Sequence, residues 1–120
     1  MRNRNVRGYI ISAMRFYAKM GEPDIDEIKK LKHISEAERL DLSAVASMLD
    51  TLSERRDVSA LAAVREIYFF EPNKKLNKQD ISKRVIHYAL DNYISERTVW
   101  SSINRAWDIF IRNRVLRVDK

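Results

Sequence analysis

Only two Gly and two Pro punctuate the 120 residues, and between them apolar residues recur at three- and four-residue spacing. A chain so poor in turn formers cannot build many short strands. That spacing gathers apolar side chains on one side of an α-helix. The expected fold is all-α, a small helical bundle. The first helix is predicted over residues 1–20, with Val6, Ile10, Ala13, Met14 and Tyr17 on its apolar stripe. Gly21 to Asp24 end it, and Met1 to Asn5 form a candidate basic arm. A short charged helix follows in residues 24–34, acids first and bases last, with Ile25, Ile28 and Leu31 on one side. Ser35 and Glu38 have the spacing of a capping box, opening a long helix whose stripe is Leu42, Val45, Ala46, Leu49 and Leu52. Asp57 or Ser59 caps the next, with Leu61, Val64, Ile67 and Tyr68 in register and Pro72 closing it.

Charge is distributed unevenly along the chain. Residues 1–19 hold five bases and no acid, residues 20–71 seven bases and twelve acids, and residues 72–120 eleven bases and five acids. The net charge is +6, and the excess at both ends suits a polyanion such as nucleic acid. There is no Cys, which excludes disulfides, zinc fingers and thiol catalysis and fits a reducing cytoplasm. No apolar run is long enough for a signal peptide or a membrane span, so no membrane is expected. His33 and His87 stand far apart and read as surface residues rather than metal ligands. Without a Gly-rich phosphate loop or a nucleophile–base spacing, neither an enzyme nor a cofactor is expected.

The basic C-terminal region carries a more specific pattern. Asn77 to Leu90 read as a capped helix, Asp91 to Ile94 as a short turn, and Ser95 to Phe110 as a second capped helix. This is the order of a helix-turn-helix. At about 100° per residue, Val99, Ile103, Ala106 and Phe110 form a core stripe, with Arg97, Ser101, Asn104 and Asp108 opposite. Arg97, Ser101, Asn104 and Arg105 are the expected base readers, since Arg suits guanine and Asn suits adenine. Lys74, Lys75, Lys78, Lys83, Arg84 and Arg112 are the expected phosphate contacts. Trp100, Trp107 and Ile111 line a third side, expected to be buried against the aromatic residues of the first helix or in a homodimer. Residues 1–71 would form an N-terminal bundle or interaction region and residues 72–120 the DNA-binding region, within one compact domain.

Ile94-Ser95-Glu96-Arg97-Thr98-Val99, followed by Asn104-Arg105-Ala106, resembles the I-S-x-R-T-V … N-R-A run of helix-turn-helix regulators. The run is similar to the promoter-reading C-terminal domain of sigma factors. It also resembles small phage regulators of late transcription, of the ArpU and RinA type. The resemblance covers about the last third of the chain. It implies double-stranded DNA as partner, RNA polymerase as a second one, late-gene activation, and a phage or prophage protein working in the host cytoplasm. One departure stands out. Ile81 and Ile94 are thirteen positions apart, about two helical turns more than in the usual motif. Either the supporting helix is longer or Asp91 to Tyr93 open a wider turn. The alternatives are a phage small terminase subunit, which also binds DNA but assembles into a ring, and a helical protein-interaction module.

Overall fold

The computed structural model describes residues 4–115, with side chains from Val6 onward. The basic arm expected at residues 1–5 lies outside the described residues, except for the helical backbone of Arg4 and Asn5. Among the described residues there is no strand. The helices are α1 (Arg4–Lys19), α2 (Ile25–Lys30), α3 (Glu36–Glu54), α4 (Val58–Val64), α5 (Lys78–Asp91) and α6 (Glu96–Arg114). A π-helical turn, Arg65–Phe69, continues α4.

Five helix starts are held by short polar side chains, each accepting from an otherwise unpaired first-turn N–H. Ser35 accepts from Glu38 N–H at 3.0 Å, and the Glu38 carboxylate accepts from Ser35 N–H at 2.8 Å. Asp24 with Glu27, and Asn77 with Asp80, make the same reciprocal pair. Asp57 caps α4 through Ala60 N–H, and Ser95 caps α6 through Thr98 N–H.

Three helices end in one hydrogen-bond pattern, and only one of them uses Gly at its left-handed position. At the end of α1, Glu22 N–H donates to Tyr17 O and Gly21 N–H to Ala18 O, with Gly21 at φ 85°. After α3, Arg56 occupies the equivalent position at φ 56°. After α5, Ile94 N–H donates to Ala89 O, Tyr93 N–H donates to Leu90 O, and Tyr93 sits at φ 56°. Left-handed backbone crowds a Cβ, so Gly is the residue that suits this place. Tyr93→Gly is therefore expected to raise stability by about 0.5–1 kcal/mol, after the entropy Gly adds to the unfolded chain. A higher urea midpoint with an unchanged slope is the expected reading. A lower midpoint would mean that the Tyr93 ring makes stabilising contacts despite being 94% exposed.

The core lies around α6, which rests on α3, α4 and α5, while α1 packs across α3 and the π turn. One cluster of buried residues runs from Ile10 to Phe110 and draws on every helix. No separate core marks a boundary near residue 71. Sequence spacing predicts an ordinary α-helix through Phe69. Instead Phe70 N–H reaches back five residues to Arg65 O at 3.0 Å. The wider turn reduces the rotation per residue. Three successive side chains, Ile67, Tyr68 and Phe69, then all reach the core.

Aromatic pairs fix how this turn meets its neighbours. Tyr17 lies 5.5 Å from Phe69 and Tyr68 lies 5.8 Å from Trp107, centroid to centroid. Of the burial expected for Trp100, Trp107 and Ile111, the structure shows that of Trp107 in full and that of the other two in part. Trp107 is 2% exposed and packs on the π turn through the Tyr68 ring. Trp100 and Ile111 are half-buried at the rim of the same core. Trp107 is thus unavailable to a second subunit, and the three residues do not form an open dimer face.

Two arginines close the far end of the π turn. The Arg15 guanidinium donates to the carbonyls of Tyr68 (2.8 Å), Phe70 (3.0 Å), Glu71 (2.7 Å) and Lys74. Arg84 donates to Ile67 O (3.0 Å) and Phe70 O (2.8 Å), pairs with Glu71, and lies over the Phe70 ring. The carbonyls of Ile67, Tyr68 and Phe70 stand at a helix end, where no later N–H of the helix serves them, and Glu71 O also accepts from Lys74 N–H at 3.0 Å. Burial, then the neighbouring Arg84 charge, lowers the Arg15 pKa from the usual arginine value.

Candidate nucleic-acid interface

The turn between α5 and α6 is short, so the thirteen-residue interval between Ile81 and Ile94 is taken up by helix. α5 runs unbroken to Asp91, and the Ile94 N–H bond to Ala89 O folds the chain back at once. Ser95 then starts α6, with its hydroxyl 2.9 Å from that of Thr98. α5 packs on both α6 and the π turn.

The faces of α6 follow the heptad-scale spacing of its residues. Val99, Ile103, Ala106 and Phe110 are buried, joined by Trp107 and Ile109. Ser102 is buried as well, and its hydroxyl donates to Thr98 O at 3.2 Å. Arg97, Ser101, Asn104 and Asp108 lie opposite and are exposed. Three of the expected base readers, Arg97, Ser101 and Asn104, therefore share one solvent-facing stripe. Asp108 places a negative charge at the C-terminal end of that stripe, so its cationic and amide groups belong to the first half of the helix.

The fourth expected base reader, Arg105, is engaged elsewhere. Its Nε donates to Asp57 Oδ2 at 2.8 Å and its Nη2 to Asp57 Oδ1 at 3.1 Å. Nη2 also meets the Ser102 hydroxyl. The bond to Arg105 holds the Asp57 carboxyl below the usual carboxylate range, and the same bond raises the Arg105 pKa. One carboxylate thus caps α4 and ties it to α6. That pair commits one edge of the guanidinium, while Nη1 stays outside it and the side chain remains half-exposed. Arg105 thus differs from Arg97, Ser101 and Asn104 in being tied to α4 as well as exposed.

Of the expected phosphate contacts, Lys74, Lys75, Lys78, Lys83 and Arg112 are exposed. Arg84 differs from them, since its side chain is 13% exposed and its donors serve the π-turn carbonyls. Lys83 projects from the outer face of α5, opposite the buried Ile81, Val85 and Ala89. Lys74, Lys75 and Lys78 lie in the linker and the first turn of α5.

Sequence reasoning passed over two groups. Asp41 accepts from the Tyr9 hydroxyl at 2.5 Å and from Arg114 Nε at 2.7 Å, which ties α1 and α3 to the last turn of α6. Burial, then the bond to Asp41, raises the Tyr9 pKa. The second group is the exposed apolar set Ile86, Leu90, Tyr93 and Ile94 on α5 and its turn. The signal was present, because Ile86 and Leu90 stand four apart and off the Ile81–Val85–Ala89 stripe. Among the described residues no three His, Asp or Glu side chains gather as metal ligands would. No helix there is long and apolar enough to cross a membrane. No family model, no curated protein and no solved structure matches this chain.

Proposed function

We propose that the protein is a sequence-specific, duplex DNA-binding regulator of transcription, a helix-turn-helix protein that reads the major groove with the first half of α6. The observation that carries this reading is the exposed stripe of Arg97, Ser101 and Asn104. It lies on a capped helix whose other side is anchored in the core. Recognition helices need both properties, because base contacts discriminate only when the backbone behind them is rigid. Exposed Lys74, Lys75, Lys78 and Arg112 add charge of the sign that phosphate requires. Activation of phage or prophage late genes, with RNA polymerase as protein partner, is the form of regulation that the Ile94 to Ala106 run suggests by resemblance.

Selection of bound sequences from random duplex DNA tests this reading. A recurrent motif is expected. Asn104→Ala should relax preference at one position, at a cost of about 1–3 kcal/mol for the favoured base. The reading fails if the bound pool matches the starting pool, or if Arg97→Ala and Asn104→Ala leave the selected motif unchanged.

A further inference from the structure

We propose that the outer face of α5 is a self-association surface, pairing antiparallel with α5 of a second copy through Ile86 and Leu90. Leu90 is 68% exposed, Ile86 39% and Tyr93 94%, within eight residues of chain. Ile86 and Leu90 are one helical turn apart, and Tyr93 extends their line past the helix end. A run of exposed large apolar residues of this kind marks a contact surface more often than isolated exposed ones do. Tyr93 strengthens the point. Its backbone holds the left-handed conformation that Gly fills after α1, so an aromatic side chain is kept there at a conformational cost.

The charges on this face indicate a second copy as the occupant. Lys78 opens α5 and Asp91 closes it, and the last turn holds no base. Asp91 opposes the helix dipole, which favours base at the C-terminus, whereas the first turn holds Asp80 beside Lys78. An antiparallel partner reverses the sense of that arrangement. With Ile86 facing Leu90 of the second copy, Asp91 falls within a turn of Lys83 and His87 of that copy, and the reciprocal contact forms at the other end. An apolar centre with basic and acidic ends in this order is self-complementary, as a two-fold contact requires. In this arrangement Lys83 meets a carboxylate rather than phosphate. The pairing does not depend on DNA binding. Only its consequence, an operator made of two inverted half-sites, rests on the function proposed above.

Sedimentation velocity of the full chain without nucleic acid, across about 1 µM to 1 mM protein, tests the pairing. The expected result is a monomer shifting to a dimer as concentration rises. Leu90→Asp should remain monomeric throughout, with an unchanged helical circular dichroism spectrum. Asp91→Lys alone and Lys83→Asp alone should each weaken the dimer about five- to tenfold, and the two together should restore it. A monomer at every concentration overturns the proposal. So does a dimer that persists in Leu90→Asp, or a double charge reversal that restores nothing. If the wild type is monomeric but Leu90→Asp loses DNA binding, the patch belongs to the nucleic-acid contact and the second copy is excluded.

Discussion

Duplex DNA affinity is expected to fall about 100-fold between roughly 50 and 200 mM salt. Lys74, Lys75, Lys78 and Arg112 would neutralise four phosphates, and each releases about 0.9 of a counterion, giving a log–log slope near −3.6. Arg84 and Arg105 are left out of that sum because their donors already serve carbonyls and Asp57, and Lys83 because it meets a carboxylate in the pairing proposed above. Replacing Lys74, Lys75 and Lys78 together by Ala should bring the slope to about −1. Affinity should then drop alike for every duplex, since a point charge on phosphate carries no base information. Arg97→Ala should instead change which base is preferred at its position. Fluorescence anisotropy at several salt concentrations, with matched and mismatched duplexes, separates the two effects. A flat salt dependence would remove phosphate contact, and with it the nucleic-acid reading.

Arg15→Ala is expected to cost about 3 kcal/mol of folding stability, lowering the melting temperature by about 10–15 °C. The mechanism is loss of a shared donor. One guanidinium serves the carbonyls of Tyr68, Phe70, Glu71 and Lys74, two of which stand at the end of the π turn and two in the loop leading to α5. Their separate contributions do not add, because they share one donor group and one desolvation cost. Arg84 remains at Phe70 O but cannot replace the other contacts. Arg15→Lys should recover less than half of the loss, since an ammonium presents its donors from a single point rather than a planar fork. Thermal melts of both variants measure this. A loss below about 1 kcal/mol would show that water serves these carbonyls as well as Arg15 does. The consequence for function is indirect but specific. Arg15 and Arg84 together set where α5 leaves the π turn, and α5 is one of the three helices that α6 packs against.

The helices were legible because their causes are local. Ser35 with Glu38, Asn77 with Asp80 and Ser95 with Thr98 act over three residues. The apolar stripes of α3 and α6 repeat within each helix, so the faces that carry Val99, Ile103, Ala106 and Phe110 inward and Arg97, Ser101 and Asn104 outward could be drawn from spacing alone. The π turn was not legible. Its Ile67, Tyr68 and Phe69 fit an α-helical register closely enough that only the carbonyl reached by Phe70 N–H distinguishes the two.

The sequence by itself determined the all-helical class, the caps at Ser35, Asn77 and Ser95, and the inner and outer faces of α6. Each of these follows from interactions within one or two turns. Only the tertiary structure decided what the charged and aromatic side chains meet. Arg105 finds Asp57 at a separation of 48 residues, Arg15 finds Lys74 at 59, and Arg114 finds Asp41 at 73. On a helical wheel Arg84 and Lys83 look equally available to phosphate, yet one is folded onto backbone carbonyls and the other faces water. Likewise Trp107 shares a helix side with Trp100 but enters the core because the π turn supplies the Tyr68 ring. A long polar or aromatic side chain goes to whichever unpaired group or apolar surface the folded chain brings within its reach. That choice is set by how the helices pack together, which the periodicity of a single helix does not encode.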